Sequence, residues 1–511
     1  MTTPLQRRTF LQAISMGIAT TIAERSAKAQ SVATAGNTEL AFMPATELVA
    51  AIQARQVSPV EVVEAALRRI ETLNPTLNAY CTVAAESAVE AAKQAERAVT
   101  TGNKLGPLHG VPVAVKDIVF TKGIRTTGGS KVYENFVPNE DEVIVERLKA
   151  AGAIILGKTN LSEFGYKGVT YNKVFGETVS PWNVARTPGG SSGGSGAAVA
   201  AGLGQLAVGQ DGGGSIRIPA SFCGLYGLKP SFGRVPLYPS CRTSEFPGFS
   251  GWETLEHTGP ITRTVRDAAL MLDVMAGHDT RDRHSLPSEN VSYLEEVEGG
   301  IDGLRVAWTP DWGYAVVDPV VRDATLRAVR VFEELGCVVE EADPGFENPR
   351  EAFATIVLLD TDLRRMRELI ADWGEQMDPD LVSFMAQNRT LEQCTDARFV
   401  RQDIYNKMRS LFDRYDLLIT PTMAVPPFEL GISDVTEIDG RDASSTGSSP
   451  FTFPINFTGQ PAASVPCGWT EDGLPIGLQI VGRPLDDSTV LRASAAFEAA
   501  VPWASRRPPV S

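Results

Sequence analysis

The chain has 511 residues, of which 43% are hydrophobic and 21% are charged, so it is long enough to bury a large core and does not have the composition of a membrane, collagenous or disordered protein. Its 47 lysines and arginines against 62 aspartates and glutamates give a net charge of −15. A chain this acidic is not expected to bind nucleic acid or anionic membranes, because such binding requires clustered cationic side chains.

The N-terminus has the pattern of an export signal. Paired arginines, a weakly apolar run and a small-x-small pattern follow one another at Arg7-Arg8, Leu11–Ala23 and Ala27–Ala29. The apolar run is shorter than the roughly 20 residues needed to cross a bilayer. We therefore expect residues 1–29 to be a twin-arginine signal peptide, and residues 30–511 to form one periplasmic or secreted domain without stable membrane association. An amphipathic N-terminal helix is the alternative interpretation.

Cysteine and histidine patterns give no sign of a metal site. The six cysteines are scattered, at Cys81, Cys223, Cys241, Cys337, Cys394 and Cys467. An exported protein can form disulfides, but the twin-arginine route carries proteins already folded in the cytosol, so we expect buried free thiols. The four histidines, His109, His257, His278 and His284, match no zinc-binding spacing.

After the signal, the apolar pattern alternates between helical and strand periods. Ser58-Pro59 begins a helix that Asn74-Pro75 is expected to end. Further helices are predicted over residues 264–276 and 319–335, and Glu351 to Asp413 is predicted to form a helical layer. Short apolar runs predict strands at Val111–Val115, Ala153–Leu156, Leu206–Val208, Leu304–Ala307 and Leu417–Thr420.

This alternation indicates an α/β fold with a central mixed sheet that α-helices flank on both faces. Near the C-terminus, Asp472-Gly473 lies between two extended stretches and predicts a hairpin. The polar segment from Glu429 to Pro450 is expected to be a mobile loop over a site.

Glycine is concentrated in two turns, residues 189–196 and residues 211–217. Both turns adjoin regular elements, which is not typical of a flexible linker. Glycine lets backbone N–H groups converge on an anion or a developing oxyanion, because no Cβ blocks the approach. A nucleotide site is the competing interpretation, but the sequence contains neither G-x-x-x-x-G-K-[ST] nor G-x-G-x-x-G.

Residues 190–194 also match G-x-S-x-G, the nucleophile elbow of α/β-hydrolases, with Ser192 at the centre. That interpretation requires a histidine base later in the chain, and His257, His278 and His284 follow. The last two lie in patterns typical of solvated surface positions, and a lone histidine is more often structural than catalytic.

Lys116 is a different candidate base. It follows the apolar run Val111–Val115 and precedes Asp117. An ammonium group at the end of a buried strand loses hydration, which lowers its pKa and makes a neutral amine available as a general base. An ion pair with Asp117 at a strand end is the alternative interpretation.

Together these motifs resemble the amidase signature family. The matching segments are Gly189-Gly190-Ser191-Ser192-Gly193-Gly194-Ser195, Gly213-Gly214-Ser215-Ile216-Arg217-Ile218-Pro219-Ala220, Cys223-Gly224 and Gly227-Leu228-Lys229-Pro230. The similarity extends from about Leu40 to Gly482 and so covers nearly all of the mature chain.

The resemblance implies a catalytic triad of two serines and a lysine. Ser215 would be the nucleophile and Lys116 the base, and Ser191 would bridge them after a cis peptide bond. The sequence departs from the commonest family pattern at Gln210-Asp211-Gly212, where many relatives have Thr-Asp-Thr or Thr-Asp-Ile. We expect this departure to leave the triad intact and to alter the pocket wall.

The resemblance further implies an oxyanion hole in the second glycine turn. Its donors would be the backbone N–H groups of Gly212, Gly213, Gly214 and Ser215. Three side chains are expected to orient this turn, and for them a purely structural role is equally consistent with the sequence: Ser192, Asp211 and Arg217.

The implied activity is hydrolysis of an amide C–N bond without metal or cofactor. A small aryl or alkyl amide would form an acyl-enzyme on Ser215 and release a carboxylic acid and an amine or ammonia, with side activity on esters and carbamates. The alternative within the family is the glutamine-hydrolysing component of a tRNA-dependent amidotransferase, whose partners an exported protein would not meet. A protein that binds amides without hydrolysing them is a third interpretation, which the intact triad disfavours.

The expected partner is therefore a small-molecule amide, and a homodimer is left open. Aromatic side chains in three segments are candidates for the pocket wall: Ser130–Phe136, Tyr166–Phe175 and Phe451–Phe457.

Overall fold

Short apolar runs bounded by turns form the strands of this protein. A computed structural model describes residues 39–249 and 251–511. The expected signal peptide lies outside the described residues. In chain order the strands are β1 (Tyr80–Val83), β2 (Pro112–Lys116), β3 (Ile154–Thr159), β4 (Tyr171–Asn172), β5 (Gly176–Glu177), β6 (Leu206–Asp211), β7 (Tyr226–Lys229), β8 (His257–Thr262), β9 (Arg305–Trp308), β10 (Val338–Glu341), β11 (Leu417–Pro421), β12 (Glu437–Ile438), β13 (Arg441–Asp442), β14 (Ala462–Trp469) and β15 (Pro475–Gly482).

The α-helices precede, separate and follow these strands. In chain order they are α1 (Ala45–Gln53), α2 (Pro59–Leu77), α3 (Ala85–Thr101), α4 (Val143–Ala150), α5 (Gly193–Ala200), α6 (Arg217–Cys223), α7 (Val265–Met275), α8 (Tyr293–Glu296), α9 (Pro319–Glu334), α10 (Arg350–Asp360), α11 (Leu363–Trp373), α12 (Pro379–Met385), α13 (Leu391–Phe412), α14 (Phe453–Thr458) and α15 (Asp487–Ala500). No helix in the described part of the chain is both long enough and apolar enough to span a membrane.

One eleven-stranded sheet forms the centre of the fold, in the order β1-β3-β2-β6-β8-β7-β14-β15-β11-β9-β10. It is mixed, because β2 runs parallel to β3 and β6 whereas β6 runs antiparallel to β8. The two faces of β2 enter different core clusters, with Val113 and Val115 in one and Ala114 in another. Alternate side chains point to opposite faces of a strand, so both faces of the sheet are buried. The predicted α/β fold, with helices on both faces, is confirmed.

Most of the predicted elements are present. The predicted strand runs correspond to β2, β3, β6, β9 and β11, and β14 and β15 form the predicted hairpin. The helical layer predicted from Glu351 to Asp413 is formed by α10 to α13. One boundary was wrong: α2 continues through Pro75 to Leu77. Proline removes one N–H donor, and the carbonyl it leaves unpaired, on Glu71, lies on an exposed side of the helix, where water can satisfy it.

The segment from Glu429 to Pro450 contains the small β12–β13 hairpin and buries Ile438 and Ala443 in a core cluster. Side-chain contacts tie it to the helical layer, since Asp434 lies 3.5 Å from Arg350 and Ser433 donates a hydrogen bond of 3.0 Å to Asp380. The segment therefore packs against α10 and α12, next to the candidate site described below.

Candidate active site

Lys116 is the last residue of β2, an interior strand of the sheet, and its side chain is buried. Its Nζ donates hydrogen bonds to Ser191 Oγ at 2.7 Å and to the backbone oxygen of Gln210 at 3.2 Å. Burial lowers the pKa of Lys116 to about 8, although the carboxylates of Glu256 and Asp211 act to raise it. Lys116 does not pair with Asp117, whose Oδ2 instead accepts hydrogen bonds from the backbone N–H and side chain of Thr127.

Ser191 lies in the first glycine turn, immediately before α5. The Gly190–Ser191 peptide bond is cis, as the resemblance implied. Glycine is required at the preceding position because a Cβ on Gly190 would lie 2.4 Å from the backbone oxygen of Val169. The same close packing recurs at Gly193, where a Cβ would lie 2.3 Å from Thr170 Oγ1. This turn brings the Ser191 hydroxyl to Lys116.

Ser215 lies in the second glycine turn, between β6 and α6. It lines the same cavity as Lys116 and Ser191. The turn is held from outside by Thr452, whose hydroxyl donates to the backbone oxygen of Gly213 at 2.7 Å. Within the described residues, Lys116 and Ser191 are joined by a hydrogen bond, whereas the Ser215 hydroxyl faces the cavity without one.

The N–H groups expected to stabilise an oxyanion are not equivalent. The N–H of Gly214 donates to Asp211 Oδ1 at 2.7 Å, so the expectation that it is free for a substrate is wrong. The carboxylate is buried and needs donors, and this N–H is the nearest of them. For the N–H groups of Gly212, Gly213 and Ser215, no hydrogen-bond acceptor is found in the described part of the chain, and these three remain candidates.

Asp211 and Arg217 form a fully buried ion pair beneath the second turn. Arg217 Nε and Nη2 each lie 2.9 Å from an oxygen of Asp211. Asn456 on α14 donates to the same carboxylate at 2.9 Å, and Ile216 N–H donates at 3.2 Å. Burial alone would raise the pKa of Asp211, but the Arg217 guanidinium holds it well below its usual range. These contacts tie the pair to the second turn, and the orienting role expected for Asp211 and Arg217 stays a prediction.

Ser192 is fully buried, and its hydroxyl donates to the backbone oxygen of Gln210 at 3.3 Å. His257 is also buried, and its Nδ1 lies 2.7 Å from the backbone oxygen of Leu255. Burial lowers the pKa of His257 well below its usual range. His278 is exposed, and neither it nor His284 lines a cavity at Ser215. The histidine-dependent alternative centred on Ser192 therefore does not form.

Two cavities meet at Ser215. The walls of the first combine polar and apolar side chains, while the second is the larger and has charged side chains at its rim. The wall of the first includes Ile118, Phe164, Phe249, Trp252, Met366, Leu381 and Met385. The wall of the second includes Ile218, Arg350, Phe353, Asp380, Phe384, Asp434 and Phe453.

These walls correct part of the sequence analysis. Tyr166 and Phe453, from two of the predicted wall segments, line cavities. No residue of Ser130–Phe136 does, because Tyr133 and Phe136 pack behind the wall against Phe249. Glu256 and Cys241 also line the first cavity beside Lys116, and the sequence did not predict them there. Neither residue belongs to a motif, so no local signal pointed to them.

All six cysteines are free thiols in this structure. Cys223, Cys241 and Cys337 are buried, and burial raises the pKa of each thiol. Within residues 39–249 and 251–511, no cluster of three or more histidine, cysteine or acidic side chains is arranged to hold a metal ion.

The chain is similar in sequence and fold to several known proteins. A family model described as Amidase matches residues 61–491. An acylamidase from Rhodococcus erythropolis is 40% identical over 475 residues, which cover 92% of this chain and 98% of that protein. A glutamyl-tRNA(Gln) amidotransferase subunit from Carboxydothermus hydrogenoformans is 37% identical over 505 residues, which cover 92% of this chain and 99% of that protein. The crystal structure of a bacterial aryl acylamidase superimposes with a TM-score of 0.83 at 33% identity, covering 91% of this chain and 99% of that one.

Proposed function

The chain belongs to the amidase signature family, and from that premise we propose that it hydrolyses carboxylic amides through an acyl-enzyme on Ser215. The observation that carries this proposal is the hydrogen bond of 2.7 Å between Lys116 Nζ and Ser191 Oγ, beside a cavity that Ser215 also lines. A buried amine with a lowered pKa is suited to accept a proton near neutral pH.

In the first half of the reaction, the neutral amine of Lys116 accepts the proton of Ser191 while Ser191 accepts the proton of Ser215. The Ser215 oxygen then attacks the amide carbonyl carbon and forms a tetrahedral intermediate. When the C–N bond breaks, Ser191 gives its proton to the leaving nitrogen and regains one from the Lys116 ammonium. The products of this half are a free amine and an ester on Ser215.

In the second half, water takes the place of the amine. It loses a proton through the same Ser191–Lys116 route and attacks the ester carbonyl. When the bond to Ser215 breaks, the Ser215 oxygen regains a proton through that route and the carboxylic acid is released. In both halves the carbonyl oxygen becomes negative, and the N–H groups of Gly212, Gly213 and Ser215 are the available donors. Fixed donors of this kind each contribute about 3–4 kcal/mol to lowering a barrier.

The two cavities support a substrate with a group on each side of the scissile bond. Because their walls are rich in aromatic and aliphatic side chains, we assign aryl or alkyl amides as the substrate class. The acylamidase relatives agree with this class. Esters and carbamates pass through the same tetrahedral step, and we propose them as side activities.

A second candidate function is glutamine hydrolysis, as in the amidotransferase relatives. One observation favours it: Arg350 and Asp434 line the second cavity 3.5 Å apart, and such a pair complements an α-carboxylate and an α-ammonium. The two functions are separated by measuring glutamate release from glutamine against amine release from anilides under the same conditions. Hydrolysis of glutamine alone would favour the second candidate.

We also propose that the protein is exported, which rests on the N-terminal pattern of Arg7-Arg8 and Ala27–Ala29. The joint change Arg7→Lys and Arg8→Lys is expected to keep the precursor in the cytosol, because this route recognises the arginine pair. Fractionation of cells that produce either form tests it. Detection of the mature variant outside the cytosol would contradict the proposal.

The acyl-enzyme is tested by labelling the purified protein with a fluorophosphonate probe and mapping the adduct by peptide mass spectrometry. An adduct on Ser215 is expected, with loss of both labelling and amidase activity in Ser215→Ala. Ser192→Ala is the matched control and is expected to be labelled like the wild type. An adduct on Ser192, or amidase activity that persists in Ser215→Ala, would contradict the proposed nucleophile.

A further inference from the structure

One carboxyl group beside the proposed triad has no partner in the fold. Glu256 lies just before β8 and lines the first cavity together with the three triad residues. Among the described residues, no donor forms a hydrogen bond with its carboxyl group and no cation pairs with it. The neighbouring carboxylate of Asp211 is paired with Arg217. A polar group that the protein leaves unpaired in a cavity is available to a molecule that enters the cavity.

The carboxyl group of Glu256 faces the second glycine turn. Its Oε2 lies 2.6 Å from the position that a Cβ on Gly212 would take, so it packs against the backbone of the turn that carries Ser215. Burial raises the pKa of Glu256, which favours the neutral carboxyl group. A neutral group at this place does not oppose the negative charge that develops on the substrate carbonyl oxygen beside the turn.

The first cavity is suited to hold water. It is the smaller of the two, and polar side chains form part of its wall; a water molecule in such a cavity pairs with about two to four polar groups. Ser191 lines the first cavity and not the second, whereas Ser215 lines both. In the second half of the proposed reaction the attacking water gives its proton to Ser191. We therefore assign this water to the first cavity.

Two hydrogen bonds orient such a water. One O–H donates to Ser191 Oγ, which takes the proton, and the other O–H needs a second acceptor. Glu256 provides it, because its carboxyl group is unpaired and its side chain is only half-buried. Gln210 lines the same cavity but is only 2% exposed, and its Nε2 is buried. With both O–H groups engaged, a lone pair of the water oxygen is directed toward the acyl carbon on Ser215.

We propose that Glu256 orients the water that hydrolyses the acyl-enzyme. The inference rests on the proposed amidase function and adds one residue to its second half. One O–H bond of the water breaks, its proton passes to Ser191, and the proton of Ser191 passes to Lys116 while the water oxygen bonds to the ester carbon. When the bond from that carbon to the Ser215 oxygen breaks, Ser191 gives a proton to Ser215 and regains one from Lys116. Glu256 neither gains nor loses a proton and holds the second O–H of the water.

The test separates formation of the acyl-enzyme from its hydrolysis. The substrates are p-nitrophenyl acetate, butyrate and hexanoate, and the ester that reacts fastest is used. The initial burst of nitrophenol measures acylation of Ser215, and intact-protein mass spectrometry measures loss of the acyl group. In Glu256→Met, deacylation is expected to slow by about tenfold or more, because the water loses one of its two orienting hydrogen bonds. Acylation is expected to change by less than about threefold, because no water takes part in that step.

Glu256→Gln keeps an acceptor oxygen and is expected to deacylate within about threefold of the wild type. Glu256→Ala replaces Glu256→Met if that variant does not fold, with the same expected result. Glu245→Met is the matched control, because Glu245 is exposed and lines neither cavity.

Three results would contradict the inference, and they are distinguishable. If Glu256 acts through its charge on Lys116, acylation and deacylation slow equally and Glu256→Gln slows with Glu256→Met, which overturns the inference. If Ser215 is acylated and Glu256→Met deacylates like the wild type, the inference alone fails. If no ester acylates Ser215, the proposed acyl-enzyme fails with it.

Discussion

Asp211→Asn is predicted to destabilise the protein strongly, because it removes one partner of a fully buried ion pair. The carboxylate accepts five hydrogen bonds within 3.2 Å, from the backbone N–H groups of Gly214 and Ile216, from Nε and Nη2 of Arg217, and from Asn456. An asparagine has one acceptor oxygen in place of two. Its NH₂ group would face donors, and the Arg217 guanidinium would remain buried without an anion.

The size of the effect follows from this environment. Removing one member of a buried ion pair costs about 3–5 kcal/mol, because the remaining charge stays desolvated. The entropy of unfolding is about 2.1 cal/mol/K per residue, so the roughly 470 described residues give about 1 kcal/mol/K if they unfold together. The midpoint of thermal unfolding is therefore expected to fall by about 3–5 °C.

Thermal unfolding followed by circular dichroism at pH 7 measures this shift, with Asp323→Asn as the matched control. Asp323 is exposed on α9, and its substitution is expected to change stability by less than about 0.5 kcal/mol. Because the pKa of Asp211 is held below its usual value, its contribution is complete above about pH 4, the ordinary pKa of aspartate, and declines as the pH falls further. A melting temperature of Asp211→Asn within 1 °C of the wild type at pH 7 would refute the reasoning.

Three further predictions concern the proposed chemistry. Lys116→Met is expected to lower kcat/KM by about 10²–10⁴-fold. Since only the neutral amine of Lys116 accepts a proton, wild-type kcat/KM is expected to fall as the pH drops through about 8. A pH profile of kcat/KM that is flat from pH 6 to 10 would contradict the role of Lys116 as the base. His278→Ala and His284→Ala are expected to retain wild-type kcat/KM, whereas a hundredfold loss in either would restore the histidine-base interpretation. Gly190→Ala is expected to lose specific activity because its Cβ would lie 2.4 Å from a backbone oxygen, whereas Gly300→Ala, which meets no atom within 4 Å, is expected to remain active.

The residues of the proposed chemistry lie in local sequence patterns, and the roles proposed for Ser191 and Ser215 come from the family resemblance that those patterns carry. Lys116 is a charged residue at the end of an apolar run that becomes a buried strand, and its desolvation follows from that position. Ser191 and Ser215 lie in glycine turns, where the need for close backbone approach limits the residue type. Properties that depend on a few neighbouring residues are visible in the sequence.

Properties that depend on distant residues were not predictable in the same way. The Gly214 N–H was expected to be free, but a side chain three positions earlier accepts from it. The motif contains both residues and does not show which way the carboxylate points. Glu256 is 140 positions from Lys116 along the chain and joins the site only because β2, β6 and β8 are neighbours in the sheet. Strand order is a long-range property, so no local pattern placed Glu256 there.

The cavity walls also depend partly on local sequence pattern and partly on contacts between distant residues. The helical layer was predicted from its apolar period, yet the period does not show which side chains reach Ser215. Met366 on α11 and Leu381 on α12 line the cavity that Ser215 also lines. The composition of the cavity walls is therefore set by residues outside the motifs, whereas the proposed proton route is set by motif residues.

The buried carboxylate of Asp211 binds some of the backbone N–H groups of the second glycine turn and leaves others as candidate donors for a substrate. A turn of this kind has several N–H groups, and without a fixed acceptor they would compete for the same partner. Asp211 takes the N–H groups of Gly214 and Ile216 from one side, and Arg217 neutralises the charge that this requires. The remaining N–H groups of the turn then stay available to the cavity. The ion pair thus contributes to the proposed reaction without contacting the substrate, and for this reason its loss is expected to affect stability and activity together.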